Sequence, residues 1–275
     1  MQQSQPGNNA ETYERYFVPA MFLPWARILL RHAALQSGER VLDVACGTGV
    51  VARQAAPSVG ADGRVVGVDM NLAMLAVAQA LPAPPGAKIN WREGDATALP
   101  FPDGAFDVVL CQHGLPFFPD RVHAVQEMRR VLAPKGRTLT IVLQALSRHP
   151  VFETLMESVA RHLALPTSLV TIPFALHNAK ELRSLFIAAG FQKVDILPAS
   201  TTVRFREAEH FVPLAVASSA AAVPAFAQLE ASDRKALFER VRGETEPIIR
   251  RYIDGDVVSF PMYAHVAVAF TSPLV

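Results

Sequence analysis

The sequence contains little cysteine, few charged residues and no surplus of either sign of charge. Only two cysteines, Cys46 and Cys111, occur among 275 residues, which excludes a disulfide framework and predicts a reducing, cytoplasmic location. Lys and Arg number 26 against 25 Asp and Glu, for a net charge of +1, whereas nucleic-acid-binding proteins usually have a basic surplus. With 51% hydrophobic and 19% charged residues, the chain does not have the composition of a disordered protein.

Long apolar runs are also scarce. Residues 1–10 are polar and lack the apolar stretch of a signal peptide, so we expect a disordered tail there. Residues 211–229 carry no charge over nineteen positions, which is long enough to cross a bilayer. However, this segment is rich in alanine and contains two prolines and two serines. Because such a segment gains little free energy in lipid, we expect a buried or lid helix rather than a membrane span.

Short apolar strands alternate with helical patterns through the middle of the chain. The predicted strands cover residues 40–45, 64–69, 88–93, 105–111 and 137–143, followed by 191–197 and 257–270. One intervening helix is predicted to end at Ala56, directly before Pro57, and Pro134-Lys-Gly136 is predicted to punctuate the chain before the fifth strand. This alternation predicts an α/β fold with a parallel sheet covered by helices on both faces.

The pattern divides the chain into consecutive segments. We expect a tail at 1–10, a helical lid at 11–37, a ligand-binding core at 38–145, a cap insertion at 146–177, more core at 178–204, a second cap insertion at 205–256 and a final core strand at 257–275. The two insertions are helical patterns broken by proline. We therefore interpret them as a cap over the sheet rather than an independent domain.

A glycine-containing loop follows the first predicted strand, in Val41-Leu-Asp-Val-Ala-Cys-Gly47-Thr-Gly49. Glycine allows a tight turn and a close approach of the backbone to a ligand. The second strand ends at Asp69, twenty-six residues after Asp43, where a carboxylate can accept hydrogen bonds from both hydroxyls of a ribose. The third strand ends at Asp95, which could accept from an adenine amino group. Together these features predict a nucleoside site.

Two kinds of nucleoside cofactor fit a loop of this type. A dinucleotide loop reads G-x-G-x-x-G and places a pyrophosphate at the helix N-terminus. Ala52 occupies the third glycine position, which that fingerprint tolerates. The carboxylate of Asp43, four residues before Gly47, suits a cationic ligand better than a pyrophosphate. An NAD(P)-dependent oxidoreductase on a related sheet is the alternative.

Several motifs in order make the sequence resemble the class I S-adenosylmethionine-dependent methyltransferases, in particular their small-molecule, type 11 branch. The matching stretches are the glycine loop, Val66-Gly-Val-Asp69-Met70-Asn71, Gly94-Asp95-Ala96, Leu99-Pro-Phe-Pro, Phe106-Asp-Val-Val-Leu, Glu127-Met-Arg-Arg-Val-Leu-Ala-Pro-Lys-Gly136 and Ala188-Ala-Gly-Phe191. They cover about residues 38–195. The resemblance implies a Rossmann-like, seven-stranded sheet of order 3-2-1-4-5-7-6 with strand 7 antiparallel.

The resemblance also assigns residues to S-adenosyl-L-methionine, whose product is S-adenosyl-L-homocysteine. Asp43, Gly47 and Gly49 would surround its methionine part, with Ala45 at a position where many members carry glycine. Asp69 would hold the ribose hydroxyls, and Met70 would lie beside the adenine. Asp95 and Ala96 would contact the edge of the adenine, and Gln112 would lie near the sulfonium. A protein that binds this cofactor without catalysis is a further alternative.

Two histidines are candidates for a general base, which methyl transfer needs only where the acceptor must lose a proton. His113 follows the fourth strand and His149 the fifth, at the sheet edge where the acceptor should lie. His113 is the first candidate because an imidazole titrates near neutral pH, and a cavity wall that only positions the acceptor is its other interpretation. No Cys/His spacing resembles a zinc site, so no metal is expected.

Aromatic residues outside the core suggest how the acceptor is enclosed. Tyr13, Tyr16, Phe17 and Phe117 could cover the cofactor and the acceptor, although helix packing explains them equally well. Together with other aromatic residues in the cap, they suggest a small, fairly apolar acceptor. We expect methyl transfer to oxygen first, and then to carbon or nitrogen. We expect no nucleic-acid partner and no membrane-spanning segment.

Overall fold

A mixed β-sheet forms the centre of the protein in the computed structural model, which describes residues 9–220, 226 and 228–271. Its strands are β1 (Arg40–Val44), β2 (Arg64–Asp69), β3 (Ile89–Glu93), β4 (Phe106–Gln112), β5 (Leu132–Leu143), β6 (Lys193–Arg206), β7 (Ile253–Asp254) and β8 (Val257–Phe270). The order is β3-β2-β1-β4-β5-β8-β6, with β8 antiparallel to its neighbours β5 and β6. The expected topology is confirmed, and the two-residue β7 only shifts the number of the last strand.

Two strands are longer than the sequence predicts. β5 begins at Leu132 and not at Arg137, because its pairing with β4 shifts between Leu132 and Arg137 and the residues between them bulge from the ladder. β6 continues to Arg206 because all fourteen of its residues pair with β8. It contains Pro198, which an edge strand tolerates.

Helices cover both faces of the sheet. They are α1 (Asn9–Thr12), a π-helix (Tyr13–Phe22), α2 (Leu23–Ala33), α3 (Val50–Val59), α4 (Leu72–Ala80), α5 (Arg121–Arg130), α6 (Pro150–His162), α7 (Thr167–Val170), α8 (Ala179–Ala188), α9 (Ala208–Ala220) and α10 (Ala231–Ile249). Short 3₁₀ turns lie at Leu115–Phe117, Leu146–Arg148, Ile172–Phe174 and Arg250–Tyr252.

The helical boundaries correct two expectations. α3 continues through Pro57 to Val59 instead of ending at Ala56, and the N–H of Gly60 donates to the Ala56 carbonyl to close the last turn. The first helix begins at Asn9, inside the expected tail. Residues 1–8 of that tail and 272–275 of the final segment lie outside the described residues.

Two apolar clusters lie on opposite faces of the sheet. One contains Trp25 and Leu29 of α2 together with α3 and the cap helices α6, α9 and α10. The other contains Met128 of α5 and Phe186 of α8. The cap shares the first cluster with the sheet, since Phe152 of α6 lies 5.7 Å from Phe260 of β8 between ring centroids. Cap and sheet therefore bury one continuous apolar core.

The alanine-rich segment was the candidate for a membrane span. Its residues up to 220 belong to α9, and 221–225 and 227 lie outside the described residues. Within the part of the chain that the structure describes, no helix is both long enough and apolar enough to cross a bilayer.

Candidate functional site

A cavity of about 690 Å³ lies at the carboxyl ends of β1, β2 and β4. The π-helix, α6 and α7 also contribute to its walls. Its volume is typical of small-molecule sites, and the carboxyl edge of a parallel sheet is where such sites form. Seven of the nine residues that the sequence assigned to the cofactor line it, namely Ala45, Gly47, Asp69, Met70, Asp95, Ala96 and Gln112.

Two carboxylates give the cavity a negatively charged end. Asp69 terminates β2 and accepts the backbone N–H groups of Gly47 at 2.7 Å and Asn71 at 2.8 Å. Because a carboxylate offers about four lone-pair sites, Asp69 can accept further hydrogen bonds from a ligand. Asp95 is exposed, and hydrogen bonds from Thr97 hold its pKa below the usual value. Met70 is 74% exposed beside Asp69.

Asp43 lies beneath the glycine loop, outside the cavity lining. Its carboxylate accepts the N–H of Ala52 at 3.0 Å, in the first turn of α3. Burial raises the pKa of Asp43 from 3.8 to about 8, and nearby Asp69 adds to this effect. The N–H group that a pyrophosphate would need at this helix N-terminus is therefore already bonded to a carboxyl group. This arrangement disfavours a dinucleotide.

Gly49 also lies outside the cavity lining, and its surroundings give it a packing role. It precedes α3 with φ +85°, a left-handed conformation that favours glycine. A Cβ atom at Gly49 would lie 2.1 Å from the indole ring of Trp91 on β3. The same ring lies against Gly67 of β2. Trp91 therefore supports the glycine loop from below, at a position that local sequence does not indicate.

We expect Gly49→Ala to destabilise the protein by about 3 kcal/mol, because the added Cβ meets both the Trp91 ring and an unfavourable φ. Thermal unfolding should show Tm lowered by roughly 10 °C. Gly243→Ala is the matched control, since a Cβ at Gly243 in α10 meets nothing within 4 Å, and it should stabilise by about 1 kcal/mol. Equal stability of Gly49→Ala and the unsubstituted protein would contradict this packing role.

The π-helix lies within the segment where the sequence predicts a helical lid. Tyr13, Phe17 and Met21, at a spacing of four residues, line the cavity together with Phe22. This matches the wider turn of a π-helix, which is typical of functional sites. The Tyr13 hydroxyl lies 3.9 Å from where a Cβ of Gly47 would stand. Burial, followed by Asp69 and Glu14, raises the pKa of Tyr13 above its usual value, so its hydroxyl stays neutral.

Two contacts tie the lid to the core. Glu14 accepts from the guanidinium of Arg53 on α3 at 3.0 Å, in an ion pair that is largely buried. The same guanidinium also donates to the carbonyl of Thr48 in the glycine loop. On the other side, the amide Nε2 of Gln112 donates to the carbonyl of Phe22 at 3.1 Å. The lid is thus held at the loop and at the end of β4.

His113 lines the cavity directly after β4, as the sequence predicted. Its ring lies 5.9 Å from each of the rings of Phe22 and Trp25, between centroids. Burial lowers the pKa of His113 to about 3, and an imidazole with that pKa is neutral at pH 7 and a weak base. The structure therefore favours the other interpretation of His113, a wall residue that positions the acceptor.

Besides Asp43 and Gly49, two further expected site residues do not line the cavity. His149 is buried, with Nδ1 at 3.0 Å from the carbonyl of Ala145 and Nε2 within hydrogen-bonding distance of the backbone of Tyr263 on β8. Both ring nitrogens are therefore used by the backbone, which corrects its candidacy as a base. Tyr16 points away from the cavity lining and contacts the ring of His210. Phe17 and Phe117, in contrast, line the cavity.

The other end of the cavity is apolar. The side chains that form it include Phe22, Phe117, Phe152, Met156, Phe174 and Met262. Sequence analysis missed Met156 and Met262. Met156 lies four residues after Phe152 on α6, and Met262 follows the alternating burial of β8. Neither pattern indicates which buried side chains face a cavity. Among the described lining residues none is Lys or Arg.

The carboxylates that line the cavity fit S-adenosylmethionine. Asp69 and Asp95 both line the cavity, the Asp69 carboxylate accepts only two hydrogen bonds from the backbone, and the pKa of Asp95 is lowered, so both complement a cationic ligand. In this fit Asp69 would hold the ribose, and Asp95 and Ala96 the adenine. No group of three or more metal-ligating side chains occurs among the residues described, and both cysteines are buried free thiols.

Comparison with known proteins gives concordant results. Residues 41–136 match the family described as methyltransferase domain. The ubiquinone/menaquinone biosynthesis C-methyltransferase of Hahella chejuensis is 40% identical over 119 residues, which are 42% of this chain and 48% of that protein. The chain thus spans about half the length of that relative.

Two further matches cover more of the chain. The demethylmenaquinone methyltransferase of Bacillus cereus is 31% identical over 190 residues, 63% of this chain and 78% of that protein. Phosphoethanolamine N-methyltransferase 2 of Haemonchus contortus, solved in complex with S-adenosyl-L-methionine, superposes with a TM-score of 0.57 at 20% identity, covering 98% of this chain and 59% of that chain. The latter likeness concerns the fold.

Proposed function

This chain belongs to the class I S-adenosylmethionine-dependent methyltransferases, and on that premise we propose that it methylates a small, largely apolar acceptor bound beneath the lid. One observation carries the proposal, a single cavity with carboxylates at one end and aromatic and methionine side chains at the other. The carboxylate end suits the cationic cofactor, and the apolar end suits the acceptor.

The protein's own contribution is positioning and exclusion of water. The cofactor supplies a methyl group that its sulfonium has already activated, so the acceptor needs only to be held in line with it. Asp69 and the glycine loop would hold the cofactor, and Tyr13 and Phe22 would cover it, since all of them line the cavity. Gln112 links the lid to the end of β4, beside the acceptor space.

We favour a ring carbon beside a hydroxyl group as the methyl-accepting atom. A relative of this chain is named a C-methyltransferase, and His113 is a weak base. After carbon methylation, loss of the proton from the ring carbon restores the aromatic ring, so a weak base such as His113 suffices to accept it. Transfer to oxygen, the first expectation from the sequence, is the second candidate. It is favoured by the position of His113 beside the acceptor space.

Thermal unfolding with four ligands in parallel tests the cofactor. We expect S-adenosylhomocysteine and S-adenosylmethionine to stabilise the protein by about 2.7 kcal/mol at one hundred times their dissociation constants, and NAD and NADP to have no effect. A shift with the dinucleotides alone would overturn the proposal. With the adenosyl compounds bound, a panel of hydroxylated aromatic acceptors and methyl-labelled cofactor should give a methylated product.

The position of the label separates the two candidates. Carbon-13 in a ring methyl group supports transfer to carbon, and carbon-13 in a methoxy group supports transfer to oxygen. Tight cofactor binding without label transfer to any acceptor would mean a cofactor-binding protein without catalysis.

A further inference from the structure

Three buried polar atoms at the end of β4 have no hydrogen-bond partner among the described residues. They are Oε1 of Gln112 and both ring nitrogens of His113. Buried polar atoms are nearly always paired, because an unpaired one loses its hydration without compensation. Both residues line the cavity, so a molecule bound there is a candidate partner for these atoms.

The amide of Gln112 is oriented by the lid. Its Nε2 donates to the carbonyl of Phe22 at 3.1 Å, which leaves Oε1 as the unpaired atom of the amide. An amide oxygen only accepts hydrogen bonds. Gln112 therefore selects a ligand group that donates, and it does so only when the lid is in the position seen here.

The backbone directs His113 into the same space. The residue has φ +57°, and its N–H donates to the carbonyl of Ile141 on β5 at 2.9 Å. Gly114 follows it, and a Cβ there would lie 2.6 Å from Cβ of Ala45, so the chain must turn closely past the end of β1. A neutral imidazole offers one donor and one acceptor.

The charges in the cavity limit what can bind beside this pair. The charged residues in its lining are Asp69 and Asp95, and the described lining contains neither Lys nor Arg. A carboxylate or phosphate near Gln112 and His113 would be buried without a counter-charge from the described lining, which costs free energy. A hydroxyl group on an uncharged molecule matches both the donor requirement and the charge.

We propose that Gln112 and His113 act together as the specificity determinant of the acceptor site, selecting an uncharged aromatic molecule through its hydroxyl group. The hydroxyl donates to Oε1 of Gln112 and accepts from the N–H of His113. This inference rests on the proposed function for the identity of the molecule as a methyl acceptor. It does not depend on which atom accepts the methyl group.

Three probes of similar shape test the selection on the protein saturated with S-adenosylhomocysteine. Naphthol carries a hydroxyl, methoxynaphthalene has it blocked and naphthoate is an anion. We expect naphthol to bind about tenfold more tightly than methoxynaphthalene and naphthoate to bind more weakly still, by calorimetry. His113→Leu and Gln112→Met should each reduce the preference for naphthol to less than about threefold. His113→Asn should retain part of it, because asparagine tolerates a positive φ and keeps a donor and an acceptor.

Two further variants separate selection from general packing. Phe174→Leu changes the apolar wall and should weaken naphthol and methoxynaphthalene equally. Trp25→Phe removes an indole N–H next to the His113 ring, from a residue outside the cavity lining, and should leave the preference unchanged. Loss of the preference in Trp25→Phe would overturn the inference, because the effect of His113 would then depend on its contact with Trp25 and not on a hydrogen bond to the ligand.

The results that would overturn this inference differ from those that would overturn the proposed function. Methyl transfer with equal binding of naphthol and methoxynaphthalene would overturn the inference and leave the function standing. A preference for naphthol that His113→Leu abolishes, without methyl transfer to any acceptor, would support the inference and overturn the function. Tighter binding of naphthoate than of naphthol would overturn the selection for an uncharged molecule.

Discussion

Replacing Asp69 with alanine is expected to weaken S-adenosylhomocysteine binding about a hundredfold. The carboxylate ends β2 at the cavity, and two of its lone pairs already hold the N–H groups of Gly47 and Asn71. Its remaining lone pairs face the ligand space, where each hydrogen bond to a charged group contributes about 1.5–3 kcal/mol. The substitution removes these bonds and also frees the glycine loop. Isothermal titration calorimetry measures the change directly.

The control is Asp62→Ala, which removes an exposed carboxylate that precedes β2, at the opposite end of that strand from Asp69 and outside the cavity lining, and should not change the affinity. Unfolding without ligand distinguishes loss of binding from loss of fold, since Asp69→Ala should still unfold cooperatively. Asp69→Asn should give an intermediate affinity, because its amide oxygen can still accept one of the two backbone bonds. An affinity of Asp69→Ala equal to that of the unsubstituted protein would contradict the assignment.

The cofactor end of the site could be predicted because its residues follow directly from strand ends. Parallel strands place their carboxyl ends at one edge, so a residue that ends a predicted strand has a predictable position in space. Asp69 and Asp95 belong to this group, and the structure places both at the cavity. The alternation of strands and helices predicted an α/β fold with a parallel sheet, and the family resemblance implied the strand order.

Contacts between residues distant in sequence set the properties that could not be predicted. The low pKa of His113 follows from burial, and its ring contacts Phe22 and Trp25 on the lid, about ninety residues earlier. His149 follows β5, a neighbour of the strand that His113 follows, yet the backbone of Tyr263 in the antiparallel β8 takes its Nε2. The sequence spacing indicates at which edge of the sheet a residue lies, but it does not indicate which residues of distant elements contact its side chain there.

For the acceptor end of the cavity, the sequence predicted only that its walls are rich in aromatic and apolar residues. Its walls come from the π-helix, α6, α7 and β8, which are far apart in the sequence. Apolar residues in each element must pack on something, so periodicity alone does not distinguish a cavity wall from a core residue. The substrate class therefore depends on the assembled cavity, and in particular on the unpaired atoms of Gln112 and His113.

We expect Asp43→Asn to stabilise the protein, and increasingly so as pH rises. In the folded protein, burial raises the pKa of Asp43 from 3.8 to about 8, so folding retains a proton that the unfolded chain has lost. The stability of the unsubstituted protein therefore falls as pH rises through this window. Asparagine avoids the penalty while its amide oxygen can still accept the N–H of Ala52. The gain should grow from about 2 kcal/mol at pH 5 to about 5 kcal/mol at pH 8.

Thermal unfolding of both proteins across pH 4 to 9 measures this difference, which should reach roughly 10 °C or more in Tm at the alkaline end. Asp95→Asn is the matched control, because hydrogen bonds from Thr97 lower the pKa of that exposed carboxyl. Its ionised form contributes stability above its ordinary pKa, so the same substitution there should give no gain that increases with pH. A Tm difference between Asp43→Asn and the unsubstituted protein that is constant with pH would show that Asp43 folds as a carboxylate. In that case the carboxylate would be stabilised at the N-terminus of α3 by more than its hydrogen bond to Ala52, and the fold itself would favour a negative charge beneath the glycine loop.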